Sequence, residues 1–108
     1  MFSWSRVIER KLIQTSALTL EFLEASFYQQ GFAKFPDSDF AALGLSPEDI
    51  TNLKGIGKTE EAHVSLLLSA IAATGQQPVA ACTYDFKFTD AAGMVSTAAV
   101  LEQVGVSA

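Results

Sequence analysis

From Ala17 to Phe32 the chain reads ALTLEFLEASFYQQGF, with apolar side chains at 18, 20, 22, 23, 25, 27, 28 and 32 and no glycine or proline before Gly31. This spacing predicts an α-helix that is apolar on more than one side, and such a helix must be enclosed by other elements. Gly31 marks its expected end, through a left-handed cap. The next stretch, AKFPDSDFAALGL, reads as a loop or short helical turn, broken at Pro36 and Asp37 and anchored by Phe35, Phe40 and Leu43.

A second helix is announced by Ser46-Pro47-Glu48-Asp49. Ser46 is the cap, Pro47 suits the first helical position, and the acids suit the positive end of the helix dipole. Apolar residues then recur at 50, 53, 56, 64, 67, 68 and 71 as far as Ala73-Thr74-Gly75. Gly55 and Gly57 each weaken this helix by ~1 kcal/mol relative to alanine, so a kink or a true hairpin is expected there. GQQPVAACTYDFKF reads as a long, partly extended connection, and Thr89-Asp90 can cap a third helix from about residue 91 to the end. With three helices and no convincing strand the fold class is all-α.

A length of 108 residues suits one domain. Hydrophobic residues make up 49% and charged ones 18%, an apolar excess that leaves surface for a partner. The net charge of −5, with no basic patch beyond Arg6, Arg10 and Lys11, speaks against a nucleic-acid partner. Cys82 is the lone cysteine, which rules out an intrachain disulfide and a thiolate metal cluster. MFSWSRVIERKLIQTS lacks the pattern of a secretory signal, and no run approaches the ~20 apolar residues of a membrane span, so no membrane partner is expected and the compartment stays open.

Residues 55–63, GIGKTEEAH, can be claimed by three chemistries. A phosphate-binding loop would need glycine where Asn52 stands, and a strand where SPEDITNL begins a helix. A helix-hairpin-helix turn at KGIGK would offer backbone N–H groups to a DNA phosphate beside Lys54 and Lys58, but Glu60 and Glu61 follow where phosphate contacts should form. The third claim is Glu60-x-x-His63, a spacing suited to metal ligation.

At roughly 100° per residue, Glu60 and His63 project onto the stripe of Leu53, Ile56, Val64, Leu67 and Ile71, while Glu61 projects toward solvent. Burying a carboxylate costs several kcal/mol unless a metal, a cation or hydrogen bonds compensate. By itself the pair is better explained as a Glu-His pair or a polar network in the core. Two more acids share its situation. Glu21 projects with Leu18, Ala25, Tyr28 and Phe32, and Glu102 with Ala91, Val95, Ala98, Ala99 and Val106. Glu24 lies off the first of these faces and reads as a surface or bundle-edge acid. Carboxylate-bridged di-metal bundles use this inventory, one Glu from each of two helices and Glu-x-x-His from each of two others. Carboxylates with one imidazole per metal suit iron or manganese. Glu21, Glu60, His63 and Glu102 are therefore the candidate metal ligands.

SALTLEFLEASFYQQGF, KTEEAHVSLLLSAIAATGQQPVAACTYDF and VLEQVGVSA resemble the ferritin-like domain family found among fungal stress-response and plant desiccation-related proteins. The resemblance implies an antiparallel helical bundle with Glu21 as the lone acid of the first ferritin-like helix, Glu60 and His63 as the first Glu-x-x-His, and Glu102 as the lone acid of the third. Tyr28 falls where related bundles place a tyrosine near the metals. Family members often carry a signal peptide and begin the first helix with Leu-Asn where Gln14 and Thr15 stand. The chain therefore divides into an extension, 1–16, foreign to the domain, and a partial ferritin-like domain, 17–108. About three helices are expected, with the fourth, bearing the second Glu-x-x-His, missing.

No reaction is assigned to such a truncated bundle. Its open face predicts self-association, and a two-fold homodimer could join two sets of Glu21, Glu60 and His63. The alternatives are a non-catalytic structural or interaction domain without metal, whose inward acids are hydrogen-bond partners, and the helix-hairpin-helix DNA-binding module.

Overall fold

The computed structural model describes residues 3–107, which form four helices: α1 (Trp4–Lys34), α2 (Asp37–Ala41), α3 (Pro47–Ala73) and α4 (Ala91–Ser107). Three are long and α2 is a short turn between α1 and α3, so the all-α helical-bundle reading holds. No helix among the described residues is long and apolar enough to cross a membrane.

Helix α1 is longer at both ends than its apolar pattern suggests. It starts at Trp4 because nothing between Ser3 and Gly31 breaks it, and it runs past Gly31 to Lys34. Gly31 is therefore not a left-handed stop; the helix ends where Phe35 turns extended ahead of Pro36. Gly31 serves packing instead, because a Cβ there would collide with the Met94 side chain of α4.

Helix α3 is likewise continuous through Gly55 and Gly57. No hairpin turn forms at these glycines, so the DNA-binding helix-hairpin-helix has no structural counterpart here. Its start follows the expectation: the Asp49 amide donates to Ser46 Oγ at 3.1 Å, and the Ser46 amide donates to Asp49 Oδ2 at 2.9 Å. At α4 the Gly93 amide donates to Asp90 Oδ1 at 2.7 Å, so Asp90 caps that helix.

Contacts fix the directions. Tyr28 meets Gly57 while Glu21 meets Glu60 and His63, so α1 and α3 are antiparallel. Gly31 meets Met94 and Tyr28 meets Glu102, so α4 is also antiparallel to α1. Helices α3 and α4 are then parallel, which forces the chain after Thr74 to travel back along the bundle. Residues 84–88 do so beside α1: Gln30 Nε2 donates to the Tyr84 carbonyl at 3.1 Å and Lys34 Nζ to the Phe88 carbonyl at 2.6 Å.

Phe27, Tyr28, Phe35, Phe40, Ile50, Ala91, Met94 and Ala98 form the core. The return segment closes it with aromatic edges, Phe27 lying 5.3 Å from Phe86 and 5.2 Å from Phe88 between ring centres. Of the residues expected to face inward on α4, Ala91 and Ala98 are buried and Ala99 is exposed, while the Val106 side chain lies outside the described residues. The N-terminal third of α1 stays outside the core, with Ile8, Leu12 and Ile13 exposed. A radius of gyration of 16.5 Å reflects this projection, against ~13 Å for a compact chain of this length.

Candidate metal centre

Glu21, Glu24 and Tyr28 follow one another on α1 at spacings of three and four, which stacks them on one face. Glu60 and His63 are one turn apart on α3, and Glu102 lies on the last half of α4. Gly57, one turn before Glu60, sets the depth of this arrangement. A Cβ at 57 would stand 2.8 Å from the Tyr28 Cβ, so α3 approaches α1 this closely only with glycine there. That approach brings Glu60 within reach of both acids on α1.

Two groups of donor atoms result, each within 4.8 Å: Glu21, Glu60 and His63 in one, and Glu24, Glu60 and Glu102 in the other. Glu60 belongs to both. In the first group His63 Nδ1 stands 3.4 Å from Glu21 Oε2 and 3.6 Å from Glu60 Oε2, too far for well-formed hydrogen bonds. In the second, the Tyr28 hydroxyl donates to Glu102 Oε1 at 2.8 Å. Glu24 and Glu60 are buried, at 3% and 5% exposure, whereas the His63 side chain is 48% exposed.

Three buried carboxylate oxygens, Glu21 Oε2, Glu24 Oε1 and Glu60 Oε2, have no hydrogen-bond partner. Such oxygens are costly in a core unless something positive or a proton meets them. Loss of water pushes the Glu21 carboxyl up to about 7, aided by Glu60 and opposed by His63. Burial likewise pushes Glu24 up to about 8, with Glu60, Glu102 and Glu21 adding repulsion. Burial first, and the hydrogen bond to Glu102 second, raise the Tyr28 phenol as well. A cation placed among these oxygens would reverse the penalty, so the residues present fit a metal.

All four sequence candidates reach this region. Glu21, Glu60 and His63 come together, and Glu102 meets Glu60 but lies in the other group. Glu61 is exposed, as its projection suggested. Glu24 corrects the sequence reading: it is a buried member of the second group, not a bundle-edge acid. The projection judged α1 against a single stripe, but the α1 face carrying Glu21, Glu24 and Tyr28 meets both α3 and α4. The Glu21-x-x-Glu24-x-x-x-Tyr28 spacing was the available signal.

No curated protein matches the chain significantly. The model of the ferritin-like domain matches residues 11–108, a stretch that contains every residue of both donor groups. On that match over most of its length, and on an all-helical bundle carrying inward carboxylates, the chain belongs to the ferritin-like domain family.

Proposed function

We propose that this chain binds two divalent cations, iron or manganese, with Glu60 between them. Glu21, Glu60 and His63 would hold one, and Glu24, Glu60 and Glu102 the other. The observation that carries the reading is the position of Glu60, a buried carboxylate common to both donor groups whose Oε2 has no hydrogen-bond partner. Charge supports it too, since the four carboxylates of the two groups would balance two divalent ions. An all-oxygen group beside an oxygen-and-imidazole group suits hard or borderline cations over thiophilic ones. Once bound, such ions supply Lewis acidity and, for iron or manganese, one-electron redox change.

The protein's own part is to orient. Tyr28 engages Glu102 Oε1 and leaves Oε2 for a ligand, while the cap at Ser46 and the glycine at 57 fix the register and depth of α3. The motifs LTLE-x-LEA-x-FY and LE-x-VGVSA support placing the chain with the stress-response and desiccation-related branch of the family.

Equilibrium dialysis against Mn(II) tests the reading. Two ions per chain are expected, both lost in Glu60→Gln, with His63→Ala weakening one of them. No binding by the folded chain overturns it. The second reading is a metal-free structural domain whose acids are satisfied by protons. It is favoured by the elevation of Glu21 to about 7 and Glu24 to about 8, which lets both keep a proton near neutrality.

A further inference from the structure

The two donor groups open on one side into a groove of about 650 Å³ beside α3 and α4, whose walls include Glu60, His63 and Glu102. Along its α3 wall stand Thr51, Gly55 and Thr59, which with His63 form a single row at intervals of four residues. Each threonine hydroxyl spends its proton on its own helix: Thr51 Oγ1 donates to the Pro47 carbonyl and Thr59 Oγ1 to the Gly55 carbonyl, both at 3.0 Å. Their oxygen lone pairs are left as acceptors. The row thus carries threonine oxygens along the exposed face of α3, ending at the half-exposed imidazole next to the donor groups.

Gly55 in this row lacks a packing reason. Nothing lies within 4 Å of a Cβ built there, in contrast to Gly57 two residues on, where Tyr28 is met at 2.8 Å. Glycine inside a helix nevertheless costs ~1 kcal/mol relative to alanine. What the missing side chain does provide is an open floor between the two threonines. On the other side of the α1–α3 pair, a groove whose walls include Phe22, Ser26, Gln29, Glu61 and Tyr84 reaches neither donor group. A hydrated divalent ion must exchange water oxygens for other oxygens as it enters a site, and the row offers such oxygens next to the donor groups.

We propose that divalent cations enter and leave the centre along the Thr51–Gly55–Thr59–His63 row, the threonine oxygens serving as transient ligands and Gly55 keeping the path clear. The inference rests on the metal reading above, but it concerns rates, whereas that reading concerns equilibrium. A plug outside the ligand set raises the barrier equally in both directions, so loading and release slow by the same factor and affinity is unchanged.

The probe is Co(II), loaded by stopped flow and followed by its absorption, then stripped with excess chelator. In Gly55→Leu both rates should fall about tenfold or more, equivalent to ~1.4 kcal/mol of added barrier, with the dissociation constant held within about twofold. The pair Thr51→Val and Thr59→Val, which keeps volume and removes the oxygens, should also slow both rates. It decides the matter if Gly55→Leu does not fold. Ala81→Leu, which alters the second groove, should load and release like the parent. Wild-type rates in Gly55→Leu and in the threonine pair, with Co(II) still bound, overturn the route alone. Faster release with unchanged loading would make these residues supports of the bound state, and also overturns it. Failure of the parent chain to bind Co(II) overturns the metal reading and the route together.

Discussion

The hydroxyl of Tyr28 on α1, a residue only 1% exposed, donates to Glu102 Oε1 on α4 at 2.8 Å, and this bond ties the third long helix to the acid-bearing face of the first. Its neighbour on the same helix, Phe27, holds the return segment through Phe86 and Phe88. Two adjacent residues thus serve two different layers.

Tyr28→Phe should lower stability by about 1–3 kcal/mol, the usual cost of leaving a buried acceptor without its partner. Because the bond spans α1 and α4, the loss should be concentrated in α4. Amide exchange is the appropriate readout: protection should drop across 94–104 and hold across 50–70. A uniform drop, or none, would mean that α4 is held by the apolar packing of Ala91, Met94 and Ala98 without help from this bond.

Gly55 and Gly57 should respond oppositely to the same substitution. Gly55→Ala should stabilise by up to ~1 kcal/mol, because the added methyl meets nothing and the helix gains propensity. Gly57→Ala should destabilise by about 1–3 kcal/mol despite the same gain, because its methyl would press on the Tyr28 Cβ and drive α3 from α1. Chemical denaturation of the two variants compares them directly. Equal shifts of one sign would contradict the close approach.

Metal-free protein should lose stability as pH rises. Glu21 and Glu24 have folded values of about 7 and about 8, above the ordinary 4.5, so between these limits the folded state holds protons that the unfolded chain has released. Stability from these groups is complete below about 4.5 and falls as pH climbs through 7 and 8, by a few kcal/mol at most. Thermal melts in chelator at about pH 5 and about pH 8.5 should show the decline, and Glu24→Gln should flatten it. Added Mn(II) should restore the loss at the upper pH, since a cation takes the place of the protons. A melting temperature that rises with pH in chelator would count against the buried-carboxyl account.

The exposed apolar residues of the N-terminal third of α1 should drive self-association. Ile8, Leu12 and Ile13 are 56%, 63% and 61% exposed along one projecting stretch, and contiguous apolar surface of this kind seldom stays bare on a monomer. Light scattering over a concentration series should show oligomers, and the double substitution Ile8→Glu and Leu12→Glu should shift them toward monomer. Monomeric behaviour of the parent at high concentration would remove the argument.

What was legible in the sequence was whatever depends on local chemistry. Ser46-Pro47-x-Asp49 sets the start of α3 because a cap is satisfied within four residues, and the 3.6 period puts Glu60 and His63 on a common face because helical geometry needs no neighbour to decide it. Tertiary structure decided everything that depends on what stands opposite. Gly31, Gly55 and Gly57 look alike as helix breakers, yet one seats Met94, one seats Tyr28 and one faces an open groove, because packing overrides a propensity of ~1 kcal/mol whenever neighbours supply more. Glu24 was misjudged for the same reason. A single-helix projection knows one stripe, whereas α1 lies between α3 and α4 and buries the acid between them, which is how Glu60 comes to stand in two donor groups at once.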